Sequence, residues 1–317
     1  MPDAVADEII RRRNAGERWR AIADAVGKPE TSCRDIYRRH GQQQPAGPHF
    51  MPARLPEPAE SAGGPRLPDP VKLDYKPVQI DGPGLWVVLG DVHLPFHDKR
   101  TVELAIEYAR ERNAAGLLLN GDILDSHEVS DHEKDRDALS YADELEVGRQ
   151  FMAWVRSRLP RTRIVYREGN HEQRVQRYVF QRAPAIAGLE GLNIRAWLNL
   201  KDYGIEWVQD KRVVYLGKLA TIHGHEYRGG GGVSPARWLM LRAYTSAMCG
   251  HFHRASFHGT KGLNPKPIGI WSHGCACYLH PAYAPLNEWT HGFASVELSA
   301  DGTFHVENKM VIDGRLT

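Results

Sequence analysis

The sequence predicts an α/β protein, and three observations carry that prediction. Short apolar runs end abruptly in polar clusters. Stretches of helical periodicity separate the first three runs. The C-terminal half then replaces helices with closely spaced short strands. In chain order, LWVVLG (residues 85–90) reads as a buried strand running straight into Asp91. Residues 101–113 follow as a helix with Val102, Ala105, Ile106 and Ala109 on one face. GLLLN (residues 116–120) is a second buried strand, ending at Asp122. Residues 138–159 form a longer helix with Leu139, Ala142, Leu145, Met152, Val155 and Leu159 as its inward stripe. RIVYRE (residues 163–168) is a third strand, ending at Asn170. Each unit delivers a polar cluster at the carboxyl end of a strand, where open α/β sheets bind ligands. Further strands are expected at residues 205–208, 213–216, 219–223, 267–271, 293–298 and 303–311.

Composition bounds the rest. At 317 residues, 42% hydrophobic and 25% charged, the chain suffices for one large domain and one small one. A net charge of +2 supplies no global field for nucleic acid, so that argument must rest on local clusters. No run reaches about 20 apolar residues, and the charged N-terminus lacks the apolar segment of a secretory signal. A cytoplasmic protein with no membrane partner is expected. Cys33, Cys249, Cys275 and Cys277 follow no disulfide spacing, which fits a reduced protein. Cys275 and Cys277 lack the second thiol pair of a zinc site and read as small buried side chains.

Three regions separate. Residues 1–40 read as three short helices (8–13, 19–25 and 31–40) punctuated by Gly16 and Gly27. Their apolar faces are Trp19, Ile22, Ala23 and Val26 against Ile9, Ile10, Ile36 and Tyr37, and Thr31 or Ser32 would cap the third helix. Residues 41–78 are a Pro- and Gly-rich linker. Residues 79–317 form the large domain. The small unit resembles a helix-turn-helix, homeodomain-like module, whose third helix would enter the DNA major groove. Arg34, Arg38 and Arg39 would then face phosphates or bases, with Ser32 and Arg34 nearest the base edges. The basic run of Arg11, Arg12 and Arg13 adds electrostatic support. The bland alternative is a three-helix cap or dimerisation unit whose arginines are a solvated face. A long tether favours a DNA-seeking module joined to a second, acting one.

Five fragments carry the chemistry: GDVHLPFHD from Gly90, NGDILD from Asn120, GNHEQR from Gly169, IHGHEY from Ile222 and GHFHRA from Gly250. They supply carboxylates and imidazoles at element ends, and the chain holds 16 histidines in all. In order, they resemble the signature of the calcineurin-like metallophosphoesterases: D-x-H, G-D, G-N-H-[D/E], a His, then G-H-x-H. The match spans residues 85–260 by motif. The resemblance implies an α/β/β/α sandwich of two mixed sheets, here preceded by the three-helix unit. It also implies two divalent ions about 3.5–4 Å apart, clamping the oxygens of an in-line displacement. Asp122 would bridge them. Asp91, His93 and His253 would hold the first ion, and Asn170, His223 and His251 the second. His223 and His225 both compete for one position; His223 is favoured because it directly ends the apolar strand LATI. Mixed oxygen and nitrogen ligands suit Mn²⁺, the expected metal, or Fe, Zn²⁺ or Co²⁺. A hydroxide bridging the ions would attack, and His171 would protonate the leaving oxygen. Arg174 is a candidate phosphate ligand, with an ion pair to Glu172 as the alternative.

One departure from the family pattern bears on substrate. Its protein phosphatases carry an arginine after the second motif, and Ser126 stands there instead. A diester carries one charge and needs less clamping than a monoester dianion. The expectation is therefore a phosphodiesterase acting on DNA. The alternative is a small-nucleotide phosphodiesterase or phosphomonoesterase with a tethering or regulatory N-terminal module.

Overall fold

The computed structural model describes residues 4–40, 67–71, 75–134, 139–209, 211–229, 234–263 and 266–317. The chain forms two compact units, residues 1–72 and 73–317. Most of the expected linker, residues 41–66, lies outside the described residues.

In the first unit, α1 (Ala4–Asn14), α2 (Trp19–Val26) and α3 (Glu30–His40) enclose Ile9, Ile22 and Cys33, each with no exposed surface. Gly27 adopts the left-handed conformation that ends α2 and donates its N–H to Ala23 O. Trp19 and Tyr37 meet edge to face at 5.6 Å, and Tyr37 donates to Asn14 Oδ1. One expectation is corrected. Thr31 and Ser32 do not cap α3, because the helix already starts at Glu30 and Cys33 N–H bonds Pro29 O. The basic run is also partly neutralised: Arg11 and Arg12 both bond Glu8, and Arg12 also bonds Glu17.

The second unit contains two mixed sheets. β1 (Val78–Ile80), β6 (Val214–Leu216), β7 (Leu219–Thr221), β8 (Ala247–Cys249), β10 (Ile268–Ser272) and β9 (Ser256–Thr260) form one, in the order given. β13 (Arg315–Leu316), β12 (Phe304–Ile312), β11 (Gly292–Leu298), β2 (Gly84–Leu89), β3 (Gly116–Asn120), β4 (Arg163–Arg167) and β5 (Ile205–Val208) form the other. β2 to β5 are parallel, and β11 returns antiparallel on β2.

Side-chain alternation builds the layers. Trp86 and Val88 of β2 and Leu118 of β3 point towards the smaller sheet, meeting Leu216, Leu219 and Met248. Their neighbours Val87, Leu89, Leu117 and Leu119 point the other way. These meet α4 (Lys99–Glu111) through Val102, Ile106 and Ala109, and α5 (Tyr141–Arg158) through Met152 and Val155. The outer face of the smaller sheet, including Ile222, Cys249 and Ile270, is covered by Trp238 and Leu239 of α8 (Pro235–Ala243). The result is the α/β/β/α sandwich that the resemblance implied. Its central strands are apolar on both faces because both are covered.

Other differences have local causes. The stripe of α5 is Glu144, Gly148, Phe151, Met152 and Val155, with Leu139 and Ala142 exposed. Ser140, which accepts the Asp143 N–H, starts the helix later than the apolar pattern indicates. Tyr75 and Lys76, assigned to the linker by composition, bond the second unit: Tyr75 donates to Lys211 O, and Arg212 donates to Lys76 O. Two further helices precede α8: α6 (Asn170–Arg182), unanticipated, and the single turn α7 (Ile194–Trp197). Among the described residues, no helix is long and apolar enough to cross a membrane.

Candidate metal centre

All five fragments converge at the carboxyl ends of β2, β3, β4, β7 and β8. Backbone hydrogen bonds continue past the strand ends and fix the loops to one another. Asp91 N–H reaches Gly121 O at 3.0 Å, His93 N–H reaches Asp122 O at 3.0 Å, and Gly250 N–H reaches His223 O at 2.7 Å. Five of the converging residues, Asp91, His93, Asp122, His251 and His253, have φ between 50° and 67°. Left-handed backbone costs a non-glycine residue about 1 kcal/mol or more, so the surrounding packing imposes it. Glycine is needed between them. A Cβ on Gly169 would lie 2.2 Å from Asp122 Oδ1, and one on Gly121 would lie 2.5 Å from His223 Nδ1.

His223 sets the geometry of one half. Its Nδ1 faces only the Asn120 carbonyl at 2.7 Å and must donate there. Its Nε2 then faces Asp122 Oδ2 at 3.0 Å and Asn170 Oδ1 at 3.2 Å. Three electron-rich atoms thus meet at one buried point, which only a proton or a cation satisfies. His251 belongs to the same group: one ligand atom each from Asp122, His223 and His251 lie within 4.8 Å of one another. His225 is placed elsewhere, with Nε2 on Gln173 Oε1 at 3.2 Å.

The other half repeats the pattern. His93 Nδ1 faces Asp125 Oδ1 at 3.0 Å, which turns Nε2 towards His253 Nε2 at 3.1 Å. His253 Nε2 lies 3.3 Å from Asp91 Oδ1. Asp122, between the halves, accepts His171 N–H at 2.9 Å through Oδ1 and faces His223 through Oδ2. The structure therefore brings together Asp91, His93, Asp122, Asn170, His223, His251 and His253. This donor set suits divalent cations, since His93 and His223 each hold one ring nitrogen on an oxygen and turn the other into the cluster.

His171 stands beside this cluster. Its ring lies 4.4 Å from that of His93, and its Nδ1 is 2.7 Å from Asp125 O. Arg174 donates to Asp125 O at 2.8 Å and meets His171 Nε2 at 3.0 Å. Since arginine only donates, His171 Nε2 accepts here and Nδ1 carries the hydrogen. Arg174 does not pair with Glu172. Sequence reading underestimated Glu172: its buried carboxylate accepts backbone N–H groups of Asp122, Ile123, Leu124 and Gly169, and the Tyr166 hydroxyl. It clamps the second fragment onto the third. Asp125, not singled out before, orients His93 and His171 together. The only sequence signal for it was its place in NGDILD.

Electrostatics follow from this packing. Burial acts to raise the Asp91 carboxyl, but His253, then His223 and His273, hold it below the usual carboxylate range. Asp122 is likewise held well below it, against burial, by His171, His223 and His93. Burial would lower the His223 ring, yet Asp122, with Asp91 and Glu226 behind it, raises it to about 10. Burial and the charge of His223 lower His251 to about 4. The oxygens around His223 Nε2 thus favour positive charge at that point, and a bound cation would take the place of a proton there.

The remaining candidates are placed as follows. Asp98 caps α4 by accepting Thr101 N–H. His273 is buried beneath the cluster, with Nε2 3.2 Å from Asn120 Nδ2. All four cysteines are free and buried; Cys277 Sγ lies 3.8 Å from His253 Nδ1, so it backs the site as well as filling space. Of the four consecutive glycines at 229–232, residues 230–232 lie outside the described residues. In the first unit, Arg34 pairs with Glu30 and Arg38 with Asp35; Arg39 is exposed and Ser32 half-buried.

The fold and the cluster define an α/β/β/α sandwich with a histidine- and aspartate-rich centre at its strand ends. No family model matches the chain. It is 27% identical over 263 residues to the Gene 54 protein of Mycobacterium phage L5, covering 73% of this chain and 97% of that protein. It is 26% identical over 260 residues to the Gene 54 protein of Mycobacterium phage D29, covering 73% and 95%. Among solved structures, Vps29 (D62A) from Entamoeba histolytica aligns with a TM-score of 0.39 at 12% identity, covering 74% of this chain and 96% of that one. A dimetal phosphatase from Danio rerio aligns with a TM-score of 0.36 at 10% identity, covering 72% and 96%.

Proposed function

We propose that this chain is a dinuclear metal-dependent phosphoesterase that hydrolyses phosphodiester bonds, with DNA as its substrate class. The observation that carries the first part is the convergence of seven donor residues, with Asp122 shared between the halves. Asp91, His93, Asp122 and His253 would hold one ion; Asp122, Asn170, His223 and His251 would hold the other. When bound, such a pair supplies Lewis-acid stabilisation of the phosphate oxygens and lowers the pKa of water.

The protein's own residues account for the remaining work. Asp125 fixes the rings of His93 and His171, and Glu172 fixes the loop that presents Asp122. His171 is the group placed to protonate the leaving oxygen through Nε2, once that nitrogen has taken a proton from solvent. Arg174 must first turn from that nitrogen, and a phosphate oxygen offers its guanidinium a better partner. The diester reading rests on Ser126: its side chain is buried and its N–H is held by Glu144, so nothing there reaches a phosphate dianion. The DNA reading rests on the three-helix unit and the exposed Arg38 and Arg39 of α3.

The test uses full-length protein with Mn²⁺, bis(p-nitrophenyl) phosphate, p-nitrophenyl phosphate and single-stranded and plasmid DNA. Diester and DNA cleavage are expected, with both abolished in Asp122→Asn at unchanged thermal stability. Cleavage of monoesters alone, with DNA intact under every metal condition, overturns the proposal. Cutting of DNA should also weaken when residues 1–72, the first compact unit, are removed, whereas a small-nucleotide hydrolase would keep full activity.

A further inference from the structure

Beyond His171 lies a small pocket that the chemistry above does not use. It holds about 180 Å³ and is lined by Val129, Ser130, Asp131 and His132 on one side. Arg174, Arg177, Tyr178 and Gln181, on one face of α6, form the other side. Arg174 is the link to the reacting centre, because its guanidinium touches the His171 nitrogen that faces the leaving oxygen. A leaving group that takes its proton from His171 Nε2 would lie beside Arg174, which also lines the pocket.

The pocket's chemistry favours an anion. Arg174 and Arg177 stand about one helical turn apart. Lys134 adds a third cation nearby: its ammonium donates to His127 O, Ser130 O and Ser130 Oγ at 2.6, 2.6 and 3.0 Å. Those three bonds use all its donors, so Lys134 shapes the loop and contributes charge, leaving direct contact to the arginines. Asp131 is the one carboxylate among the lining residues. Ser130, His132, Tyr178 and Gln181 add neutral polar groups, while Val129 and the Tyr178 ring are apolar, so the case for an anion rests on the two arginines.

From this we infer that the pocket between α6 and residues 129–132 binds a second phosphate, carried by the leaving nucleoside. It would make the enzyme selective for strands, where the leaving group bears the next phosphate, over isolated diesters. The inference rests on the phosphodiesterase reading.

The test compares three substrates: the thymidine dinucleotide TpT, its 5′-phosphorylated form and its 3′-phosphorylated form. Product analysis identifies which nucleoside leaves. The wild type should prefer the dinucleotide whose leaving nucleoside carries the extra phosphate by about tenfold in kcat/KM, the scale of one charge-assisted contact. The isomer with the phosphate on the other side should show no such preference. Arg177→Gln should lower the preference ratio to near one, mainly through KM, and Arg177→Lys should restore part of it. A wild type without the preference, or an Arg177→Gln variant that keeps it, overturns the subsite while leaving the diesterase reading in place. Absence of any diester turnover in the wild type overturns both.

Discussion

Replacing Glu172 by glutamine tests how the site is held. Its Oε1 accepts Ile123 N–H, Leu124 N–H and the Tyr166 hydroxyl at 2.8, 3.1 and 2.7 Å. Its Oε2 accepts Asp122 N–H and Gly169 N–H at 3.0 and 2.8 Å. The side chain is buried, so no water replaces a lost acceptor. Glutamine offers one oxygen and one NH₂, and the NH₂ must face at least two backbone donors. Each buried donor without a partner costs about 1–3 kcal/mol, giving about 4 kcal/mol for the pair at the middle of the range. For a domain this size that corresponds to a fall of roughly 8–16 °C in Tm. The same change loosens Asp122, so affinity for Mn²⁺ should fall together with stability. Urea unfolding of the full chain followed by near-UV circular dichroism reads the first effect, and isothermal titration with Mn²⁺ reads the second. A Glu172→Gln protein within about 0.5 kcal/mol of wild type would refute the clamp.

Two further perturbations address the same region. Gly169→Ala places a Cβ against Asp122 Oδ1 and its backbone nitrogen. It should cost about 3 kcal/mol and remove diesterase activity, as checked by calorimetry and turnover; normal activity would mean that this close approach is not needed. Glu144 is buried beneath Ser126, and burial first, then Asp125 and Glu172, push its carboxyl up to about 8. A raised folded-state pKa stabilises the native state fully below the unfolded value near 4.5, and that stability is lost as pH climbs to about 8. Glu144→Gln should therefore gain on wild type across this window, by at most about 5 kcal/mol above pH 8. A pH-independent difference between the two proteins would contradict this.

Much of the fold was legible because of how it is built. β2, β3 and β4 are covered on both faces, so each appears as an unbroken apolar run, and the fragments that follow them appear as polar interruptions. The alternation of Val87 and Val88 between two cores is invisible in such a run, which is why the second layer came from resemblance and not from periodicity. α6 was not legible: Glu172 and Val175 are its only buried residues, and a helix mostly facing solvent leaves little apolar stripe. β8 is three residues long and, unlike the equally short β6 and β7, has no apolar neighbour to extend its run. Within the site, residue types announced donors but not their partners. Glu172 read only as an ion partner for Arg174, because nothing local shows that four backbone N–H groups from two loops need an acceptor. Asp125 was hidden for the same reason, its two histidines lying 32 and 46 positions away.

The central claim is that distant loops converge to hold two cations through one shared carboxylate. Anomalous diffraction at the manganese edge, from crystals of the full chain grown with Mn²⁺, tests it most directly. Two peaks are predicted, one among Asp91, His93, Asp122 and His253 and the other among Asp122, Asn170, His223 and His251. A map with no peak at these side chains, from protein active on diesters, would contradict the account.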